Sequence, residues 1–296
     1  MKFCLGTVQF GTNYGIQGNI KPKRERIFEM LNYAISHNIE SIDTASAYGD
    51  AEDVLGSYIK LFPEMVGNVK IVSKLRPNAF DDSSYVDWKE IAENDARKSL
   101  LRIGVDHFDA YLFHNSSYIF DDRAVMALNN VKEKGLTDSI GVSVYTPEEA
   151  MKALDYEDIG VVQIPYNVFD RRLDKCGFFD KAMEKGVKVY ARSSLLQGLL
   201  MMDPDNLPER VKFAKEYLIQ YTEICETFNI TKLDAAIGYV ALKSGIDYVV
   251  FGVDDLSQLE EYIAMQEIIL PEDMIKRINE VFANVEEKLV NPVLWK

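Results

Sequence analysis

The chain has 296 residues, 47% of them hydrophobic, a length that suits one large domain or two ordinary ones. A composition this apolar supports a sizeable core and argues against disorder. The formal net charge of −14 at pH 7 argues against nucleic acid or an anionic membrane as a partner, because both are bound by basic surfaces.

Short, apolar, β-rich runs alternate with amphipathic helical patterns from one end of the chain to the other. Eight runs are predicted to be strands: KFCLG from Lys2, IESID from Ile39, VKIVSK from Val69, FDAYLFH from Phe108, SIGVS from Ser139, VVQIPY from Val161, VKVYARS from Val187 and YVVFG from Tyr248. Between the first seven strands, helices are predicted over residues 24–36, 51–60, 88–102, 122–134, 147–154 and 173–185. Further helices are predicted before the last strand, over 209–228 and 232–243, and after it, over 256–265 and 272–285.

Several predicted helix ends carry capping residues. The stretch TPEE from Thr146 combines an N-cap threonine with a proline at the first helical position and acids in the first turn. Gly135 and Gly186 follow lysine-containing last turns, as C-cap glycines do. These signals support the predicted boundaries at both kinds of helix end.

The alternation of strands and helices predicts the fold class. Strand–helix–strand units imply parallel strands joined by right-handed crossovers. Eight such strands of nearly continuous apolar character predict an α/β protein with a single closed (β/α)8 TIM barrel and extra C-terminal helices, with a doubly wound open sheet as the alternative. No Pro/Ser-rich linker or composition break divides the chain, so residues 1–296 are predicted to form one domain.

The cysteines and the N-terminal stretch indicate the compartment and exclude some sites. Cys4, Cys176 and Cys225 are widely spaced and form no CxxC, which argues against a disulfide framework and against a zinc site. The stretch MKFCLGTVQFG has no long apolar run with a cleavage site, and no apolar stretch approaches membrane-spanning length. We expect a cytoplasmic protein without a metal ion, and the sequence leaves its oligomeric state open.

Polar residues stand at the C-terminal ends of the predicted strands. In chain order they are Thr7, Asp43, Lys74, His114, Ser143, Gln163, Arg192 with Ser193, and Gly252 as the last strand end. In a (β/α)8 barrel these ends open on the one face where active sites lie. The sequence therefore predicts a functional site at that face.

Four of the residues at this face suggest proton-transfer chemistry. Asp43, Lys74 and His114 end neighbouring strands, and Tyr48 follows in the loop after the second strand. A phenol titrates near pH 10, a neighbouring ammonium lowers that pKa, and a carboxylate holds the ammonium in place. With an imidazole beside it, Tyr48 is predicted to be a general acid/base for an oxygen that gains negative charge when a carbonyl is reduced.

Each of these residues also has an ordinary structural explanation. Asp43 is able to cap the following turn, Lys74 to lie at the surface, and His114 to be a core residue with its hydrogen bonds satisfied. Taken singly, these explanations are the better ones. On adjacent strands of one barrel, the residues together favour a catalytic site.

At this point the residues resemble a known family. The motifs DTASAYG from Asp43, SK from Ser73 and LFH from Leu112 resemble those of the aldo-keto reductases, (β/α)8 enzymes that reduce carbonyls with a nicotinamide cofactor. The resemblance extends from LGTVQFG at Leu5 to GVDDLSQLEE at Gly252. It implies a catalytic tetrad of Asp43, Tyr48, Lys74 and His114.

The resemblance also implies a set of cofactor contacts. It assigns Thr7, Asp43, Ser143, Gln163 and Arg192 to the nicotinamide, Ser193, Leu195 and Gly198 to the pyrophosphate, and Gly252, Val253, Asp254, Gln258 and Glu261 to the adenosine. Val144 departs from the family, in which an asparagine commonly follows the serine. Arg192 stands where many members carry an aromatic ring that stacks on the nicotinamide, and a guanidinium plane is also able to stack.

The acidic residues after the last strand bear on the choice between NAD(H) and NADP(H). The 2′-phosphate of NADP(H) is normally bound by Arg or Lys. Here the positions after Gly252 read Val253, Asp254 and Asp255, and a carboxylate repels a phosphate but accepts hydrogen bonds from ribose hydroxyls. NAD(H) is therefore slightly favoured, although most of the family prefers NADPH.

The substrate and the rival functions are less well determined by the sequence. The loops TNYGIQGN, LRPNAFDDSSY and NSSYIF, after strands one, three and four, are expected to shape the pocket with Tyr14, Arg76, Phe80 and Tyr118. These residues suit a small, polar carbonyl or alcohol, such as a sugar-like compound. Scattered histidines without HxH disfavour a metal-dependent hydrolase. The remaining alternative is a nicotinamide-nucleotide-binding sensor or regulatory protein that keeps the barrel without physiological turnover.

Overall fold

A computed structural model describes residues 2–67, 69–265 and 268–295. Eight parallel strands follow one another around a closed barrel, so the predicted (β/α)8 TIM barrel is confirmed and the open sheet was the wrong alternative. The strands are β1 (Lys2–Gly6), β2 (Ser41–Asp43), β3 (Lys70–Leu75), β4 (Phe108–Phe113), β5 (Thr137–Ser143), β6 (Ile159–Pro165), β7 (Lys188–Arg192) and β8 (Tyr248–Phe251). That residues 1–296 form one domain stays a prediction.

Helices follow the strands around the outside of the barrel. They are α1 (Val8–Gly11), α2 (Arg24–Ser36), α3 (Ala51–Leu61), α4 (Pro63–Val66), α5 (Trp88–Ile103), α6 (Asp122–Glu133), α7 (Pro147–Ala153), α8 (Phe178–Glu184), α9 (Lys215–Phe228), α10 (Lys232–Ala241), α11 (Leu256–Ala264), α12 (Glu272–Val281) and α13 (Glu287–Val290). The short helices α1, α4 and α13 were not expected from the sequence.

Two predicted helices begin later than expected. The helix predicted over 173–185 is a 3-10 turn, Arg172–Lys175, followed by α8, because Gly177 between them adopts a left-handed φ of 72°. The helix predicted over 209–228 starts as the 3-10 turn Glu209–Ala214 and becomes α-helical only in α9. Apolar spacing does not separate a 3-10 turn from the first turn of an α-helix, because both bury similar positions.

The predicted caps form where expected, and one of them connects two loops. Thr146 Oγ1 accepts from the backbone N–H of Glu149 at 3.2 Å, and Glu149 Oε2 accepts from the N–H of Thr146 at 3.0 Å, which makes a capping box at the start of α7. Ser116 Oγ donates to the other Glu149 oxygen at 2.6 Å. The same glutamate therefore holds the loop after β4 against the loop after β5.

The side chains that point into the barrel end in a polar ring. An apolar cluster inside the barrel consists of Cys4, Val72, Ala110, Leu112, Val161, Tyr190, Tyr248 and Val250. Because side chains alternate between the two faces of a strand, the residue two positions further along each strand also points inward. After Val72, Leu112, Val161, Tyr190 and Val250, those residues are Lys74, His114, Gln163, Arg192 and Gly252.

The described residues contain no disulfide, no metal-binding cluster and no membrane-spanning helix. The three cysteines are free thiols, and burial raises the pKa of Cys225 to about 11, so this thiol is unreactive at neutral pH. No group of three or more His, Cys, Asp or Glu side chains in this part of the chain is arranged to hold a metal ion. None of its helices has the length and apolar character needed to cross a bilayer. The cytoplasmic location stays a prediction.

The contact between α3 and α5 yields a stability prediction. A methyl group on Gly56 in α3 would lie 2.0 Å from the carbonyl oxygen of Arg102 in α5, so the two helices would have to separate. We expect Gly56→Ala to lower stability by about 1–3 kcal/mol, the usual effect of overpacking. Gly67→Ala is the matched control, because Gly67 has a right-handed φ of −57° and no atom within 4 Å of an added methyl group. Equal melting temperatures for the two variants would contradict the close approach.

Candidate active site

A cavity of about 720 Å³ opens at the C-terminal end of the barrel. The residues predicted from the sequence that line it are Thr7, Asp43, Tyr48, His114, Ser143, Gln163, Arg192, Ser193, Leu195, Gly198, Gly252, Asp254, Gln258 and Glu261. Two of the predicted catalytic and cofactor-binding residues do not line it. Lys74 is fully buried beside Asp43, and Val253 packs into the core. We call this cavity the cleft.

An ion pair between Lys74 and Asp43 lies at the base of the cleft. The ammonium of Lys74, 0% exposed, donates to the two carboxylate oxygens of Asp43 at 2.7 and 2.8 Å. It also contacts the carbonyl oxygen of Thr44 at 2.9 Å and the phenol oxygen of Tyr48 at 3.3 Å. Two charges out of water need this number of partners, because their desolvation otherwise exceeds their mutual attraction.

Burial and charge act in opposite directions on the two groups that share the proton chemistry. Burial alone would lower the pKa of Lys74, but the charges and hydrogen bonds of Asp43 and Tyr48 together outweigh it and the pKa is raised, so the side chain stays an ammonium. Burial raises the pKa of Tyr48; Lys74 lowers it, as predicted, but by less, so the pKa of this phenol lies above its usual value. Tyr48 is therefore protonated at neutral pH and is able to donate.

His114 faces the phenol and stays uncharged. Its ring lies edge-on to the ring of Tyr48, with centroids 5.5 Å apart and planes at 88°. Burial, followed by the positive charges of Lys74 and Arg192, lowers the pKa of His114 to about 3. The neutral imidazole offers one donor and one acceptor nitrogen. Its buried Nδ1 has no partner within the described residues, so a ligand oxygen or N–H is able to meet it.

A chain of hydrogen bonds extends from the ion pair across the barrel. Gln163 Nε2 donates to Asp43 Oδ1 at 2.7 Å, and Ser143 Oγ donates to Gln163 Oε1 at 2.9 Å. Arg192 Nε then donates to Ser143 Oγ at 3.3 Å. Ser143 and Gln163 are paired across β5 and β6, so their side chains point to the same side. The chain fixes the orientation of each polar group before any ligand binds.

The loop after β7 has an unusual backbone where it lines the cleft. Ser193, Leu196 and Gln197 adopt left-handed φ angles of 61°, 50° and 57°, and Gly198 follows at 92°. For residues other than glycine this conformation costs on the order of 1–3 kcal/mol, and such residues cluster at functional sites. Within the loop, the N–H groups of Leu196 and Gly198 donate to the carbonyl oxygens of Ser193 and Leu195, each at 2.9 Å, which makes two consecutive tight turns at the cleft wall.

The two aspartates after β8 have different roles. Asp254 lines the cleft, and its Oδ2 accepts from Asn19 Nδ2 at 2.5 Å. Asp255 caps α11 by accepting from the N–H of Gln258 at 3.0 Å and from Ser257 Oγ at 2.7 Å, and it is not part of the cleft wall. Of the two aspartates that were expected to repel a 2′-phosphate, only Asp254 therefore lies at the cleft.

The loop after β1 reaches further than the sequence indicated. Residues 12–19 were expected to shape a substrate pocket, and Tyr14 does line the cleft. The same loop also crosses to the far wall, where the N–H of Ile16 donates to the carbonyl oxygen of Gln197 at 3.1 Å and Asn19 holds Asp254. The contacts of this loop with Asp254 and Gln197 were not predicted, because no sequence pattern connects a loop after β1 with loops after β7 and β8.

Three residues expected at the pocket are not part of it. Phe80 is buried against Trp88, with ring centroids 4.6 Å apart, and its N–H donates to Tyr118 Oη at 3.1 Å. Arg76 pairs with Asp95 outside the cleft. The loops after β3 and β4 thus contact each other through Phe80 and Tyr118, whose ring centroids are 4.9 Å apart.

The cleft fits a nicotinamide nucleotide by its unsatisfied polar atoms as well as by its volume. Ligand sites commonly measure about 300–1,000 Å³, and the cleft lies in that range. Among the buried polar atoms without a hydrogen-bond partner, Gln9 Oε1, His114 Nδ1 and Ser194 Oγ belong to residues of its wall. Native structures rarely leave such atoms unpaired, so these three indicate where a polar ligand binds.

Comparison with known proteins supports one family over nearly the whole chain. The model described as "Aldo/keto reductase family" matches residues 2–283. The NADH-specific methylglyoxal reductase of Escherichia coli (strain K12) is 25% identical over 295 residues, which cover 90% of this chain and 90% of that protein. The pyridoxine 4-dehydrogenase of the same strain is 22% identical, over 94% of this chain and 96% of its own.

Solved structures show the same fold. The aldo-keto reductase AKR11C1 of Bacillus halodurans, in its holo form, superposes with a TM-score of 0.77 at 20% identity and covers 98% of this chain and 95% of that chain. The thermostable aldo-keto reductase Tm1743, in complex with the inhibitor epalrestat, gives a TM-score of 0.70 at 24% identity and covers 94% of both chains.

The lowered pKa of His114 yields a prediction about acid stability. Between about pH 6.5 and about pH 3 the unfolded state takes up a proton that the folded state refuses, so stability falls with falling pH by up to about 1.4 kcal/mol per pH unit. His114→Gln removes this contribution. The free energies of unfolding of wild type and variant are measured in urea at pH 7 and below pH 5. We expect the variant to be more stable, relative to wild type, at the lower pH than at pH 7. A difference that does not change with pH would show that His114 is not held neutral.

Proposed function

Because the chain belongs to the aldo/keto reductase family, and is therefore an NAD(P)-dependent oxidoreductase, we propose that it reduces a small polar aldehyde or ketone, or runs the reverse reaction, with Tyr48 as general acid/base. The family and the enzyme class predicted from the sequence are confirmed by the match over residues 2–283. The observation that carries the finer proposal is the phenol of Tyr48 at the wall of the cleft, 3.3 Å from a buried, ion-paired ammonium.

The residues around Tyr48 suit protonation of an oxygen that becomes negative. A bound reduced nicotinamide supplies the hydride, and the carbonyl oxygen then needs a proton. An alkoxide is about as basic as hydroxide, whose conjugate acid, water, has a pKa of about 15.7, so a phenol is a sufficiently strong acid even with a raised pKa. The ammonium of Lys74 stabilises the phenolate left behind, and Asp43 keeps Lys74 in place.

We propose that His114 orients the substrate oxygen. Its ring lies beside the phenol, and the imidazole is neutral at the pH of the reaction. A neutral imidazole offers an N–H to the carbonyl oxygen without competing with Tyr48 for the proton transfer itself. Burial is the main reason for the lowered pKa of His114, and a charged imidazole would also add a third cation near Lys74 and Arg192.

The remaining wall residues would hold the parts of the cofactor to which the sequence resemblance assigned them. Ser143 and Gln163, fixed by their mutual hydrogen bond, offer a donor and an acceptor to a carboxamide. The left-handed backbone from Ser193 to Gly198 suits the pyrophosphate, and Gly252, Gln258 and Glu261 line the part of the cleft assigned to the adenosine. Thr7 Oγ1 donates to the carbonyl oxygen of Asp43 at 3.0 Å, so Thr7 supports the base of the cleft as well as lining it.

A small, polar carbonyl compound is the proposed substrate. The cleft that Tyr48 and His114 line is also lined by Tyr14 and Tyr145, whose rings combine apolar faces with hydroxyl groups. A relative over 90% of this chain has the name NADH-specific methylglyoxal reductase, which supports a short aldehyde or dicarbonyl as the first compound to test, with sugars next.

NADH is the proposed cofactor because of Asp254. Burial raises the pKa of Asp254, and the hydrogen bond from Asn19 opposes this effect. The side chain lies at the cleft wall, where its oxygens are able to accept hydrogen bonds from ribose hydroxyls. The 2′-phosphate of NADPH would place a charge of about −1.5 to −2 next to the carboxylate of Asp254. The name of the same methylglyoxal reductase points to NADH as well.

Replacing Tyr48 tests the proposed acid directly. Tyr48→Phe removes the proton donor and leaves the ring, so we expect kcat for carbonyl reduction to fall by about 10²–10⁴-fold. The Kd for the nucleotide should stay nearly constant, because the phenol is remote from the residues proposed to hold pyrophosphate and adenosine. Tyr33→Phe is the control, since Tyr33 lies in α2 and is not part of the cleft wall. Lys74→Met is less informative, because it leaves the charge of Asp43 buried without its partner.

The assay also separates an enzyme from a nucleotide-binding sensor. Methylglyoxal, short aldehydes, ketones and sugars are tested with NADH and NADPH in steady-state assays. Turnover of a good substrate by Tyr48→Phe at the wild-type rate would remove Tyr48 from the mechanism. Tight binding of nucleotide by the wild type, with no turnover of any compound in the panel, would support the sensor instead.

A pair of matched variants tests the cofactor preference. Asp254→Asn and Asp255→Asn each delete one negative charge after β8, and asparagine preserves the N-cap that Asp255 provides for α11. We expect the ratio of kcat/KM for NADPH to that for NADH to rise about tenfold in Asp254→Asn, from a charge interaction of roughly 1–2 kcal/mol, and to stay nearly constant in Asp255→Asn. Preference of the wild type for NADPH would refute the proposal.

A further inference from the structure

Arg192 is a cation in the cleft wall whose hydrogen-bond partners are all neutral. Its Nε donates to Ser143 Oγ at 3.3 Å, and its two terminal nitrogens donate to the carbonyl oxygen of Val144 at 2.8 Å and to Ser193 Oγ at 3.2 Å. Among the described residues no carboxylate lies within 4.0 Å of this guanidinium, whereas Lys74 is paired with Asp43. Arg192 is therefore a positive charge without a balancing partner.

The position of this charge is held firmly. Three hydrogen bonds to the ends of β5 and β7 determine where the guanidinium plane lies, and the ring of Tyr145 lies 4.5 Å from its central carbon. The N–H of Tyr166 donates to the carbonyl oxygen of Arg192 at 3.1 Å, so the backbone is fixed as well. A side chain held in this way cannot turn into solvent to avoid a second cation in the cleft.

The charge is close to the groups of the proposed chemistry. Arg192 contacts Ser143, which is bonded to Gln163, and this pair is proposed to hold the carboxamide of the nicotinamide. The effect of the charge reaches further, since it contributes to lowering the pKa of His114. A nicotinamide that meets Ser143 and Gln163 would therefore have its ring within the field of Arg192.

We infer that Arg192 makes the cleft bind reduced nicotinamide nucleotide more tightly than oxidised nucleotide. The inference rests on the proposed function. The oxidised nicotinamide ring carries one positive charge and the reduced ring carries none, while the rest of the nucleotide is the same. A fixed, unbalanced cation in a partly desolvated cleft therefore disfavours only the oxidised form. Arg192 acts as a positioning and specificity residue that favours release of the oxidised product.

The test compares the affinities of the two forms in the absence of substrate. NADH and NAD⁺ are titrated by isothermal calorimetry into the wild type, into Arg192→Gln and into Arg192→Lys. Glutamine is neutral but keeps donors for Ser143 or Val144, and lysine keeps the charge without the planar fork. The quantity of interest is the ratio of Kd for NAD⁺ to Kd for NADH, since a general loss of structure weakens both forms alike.

We expect the wild-type ratio to exceed about 10, to fall by about tenfold in Arg192→Gln and to be largely kept in Arg192→Lys. A tenfold fall corresponds to about 30 mV less in the reduction potential of the bound two-electron couple, which is a second readout. An unchanged ratio in Arg192→Gln overturns the inference, and so does an equal fall in both variants, which would make the hydrogen bonds responsible. If Arg192→Gln does not fold, Arg192→Met replaces it.

The failure of the proposed function gives a different result. If the wild type binds neither NADH nor NAD⁺, nor the corresponding phosphorylated pair, the proposed function is wrong and this inference falls with it. If both forms bind with equal affinity to wild type, the proposed function stands and only the role of Arg192 is refuted.

Discussion

The buried ion pair between Lys74 and Asp43 is the interaction on which the rest of the site depends. Each of these charges would cost several kcal/mol in a dry environment without its partners. The barrel supplies the partners: Gln163 and Lys74 both donate to Asp43, and the carbonyl oxygen of Thr44 accepts from Lys74. These groups come from the ends of β2, β3 and β6. The pair is therefore stable only when the barrel is closed, and the closed barrel in turn fixes Tyr48 against the ammonium.

Around this pair the charges of the cleft are arranged unevenly. Lys74 and Asp43 nearly cancel, so the other charged groups that a ligand meets in the cleft wall are Arg192 at the end of β7 and, after β8, Asp254 and Glu261. In the proposed function, Arg192 would disfavour a positively charged ring and Asp254 would disfavour a phosphate beside the ribose. Both effects would favour NADH. His114 stays neutral chiefly because burial lowers its pKa, and the positive charges of Lys74 and Arg192 lower it further.

Much of the fold and the base of the site could be predicted because both follow from short-range patterns. The eight strands appear in the sequence as apolar runs of the right length. The polar residues at their ends follow inward-facing apolar residues by two positions, as Lys74 follows Val72. Once the strands are parallel and closed, alternation alone places these ends together. Helix starts were harder, since Gly177 divides a segment whose apolar spacing looks continuous.

The sequence by itself determined which residues form the base of the cleft, because strand alternation is a local property that tertiary packing preserves. Only the tertiary structure decided how the loops complete it. It separated Asp254, which lines the cleft, from its neighbour Asp255, which caps a helix, and it brought Asn19 to Asp254 across 235 residues of chain. It also turned Phe80 away from the cleft onto Trp88. Loop side chains choose among partners that are distant in sequence, and the partner that buries more area or satisfies more polar atoms is known only when the chain is folded.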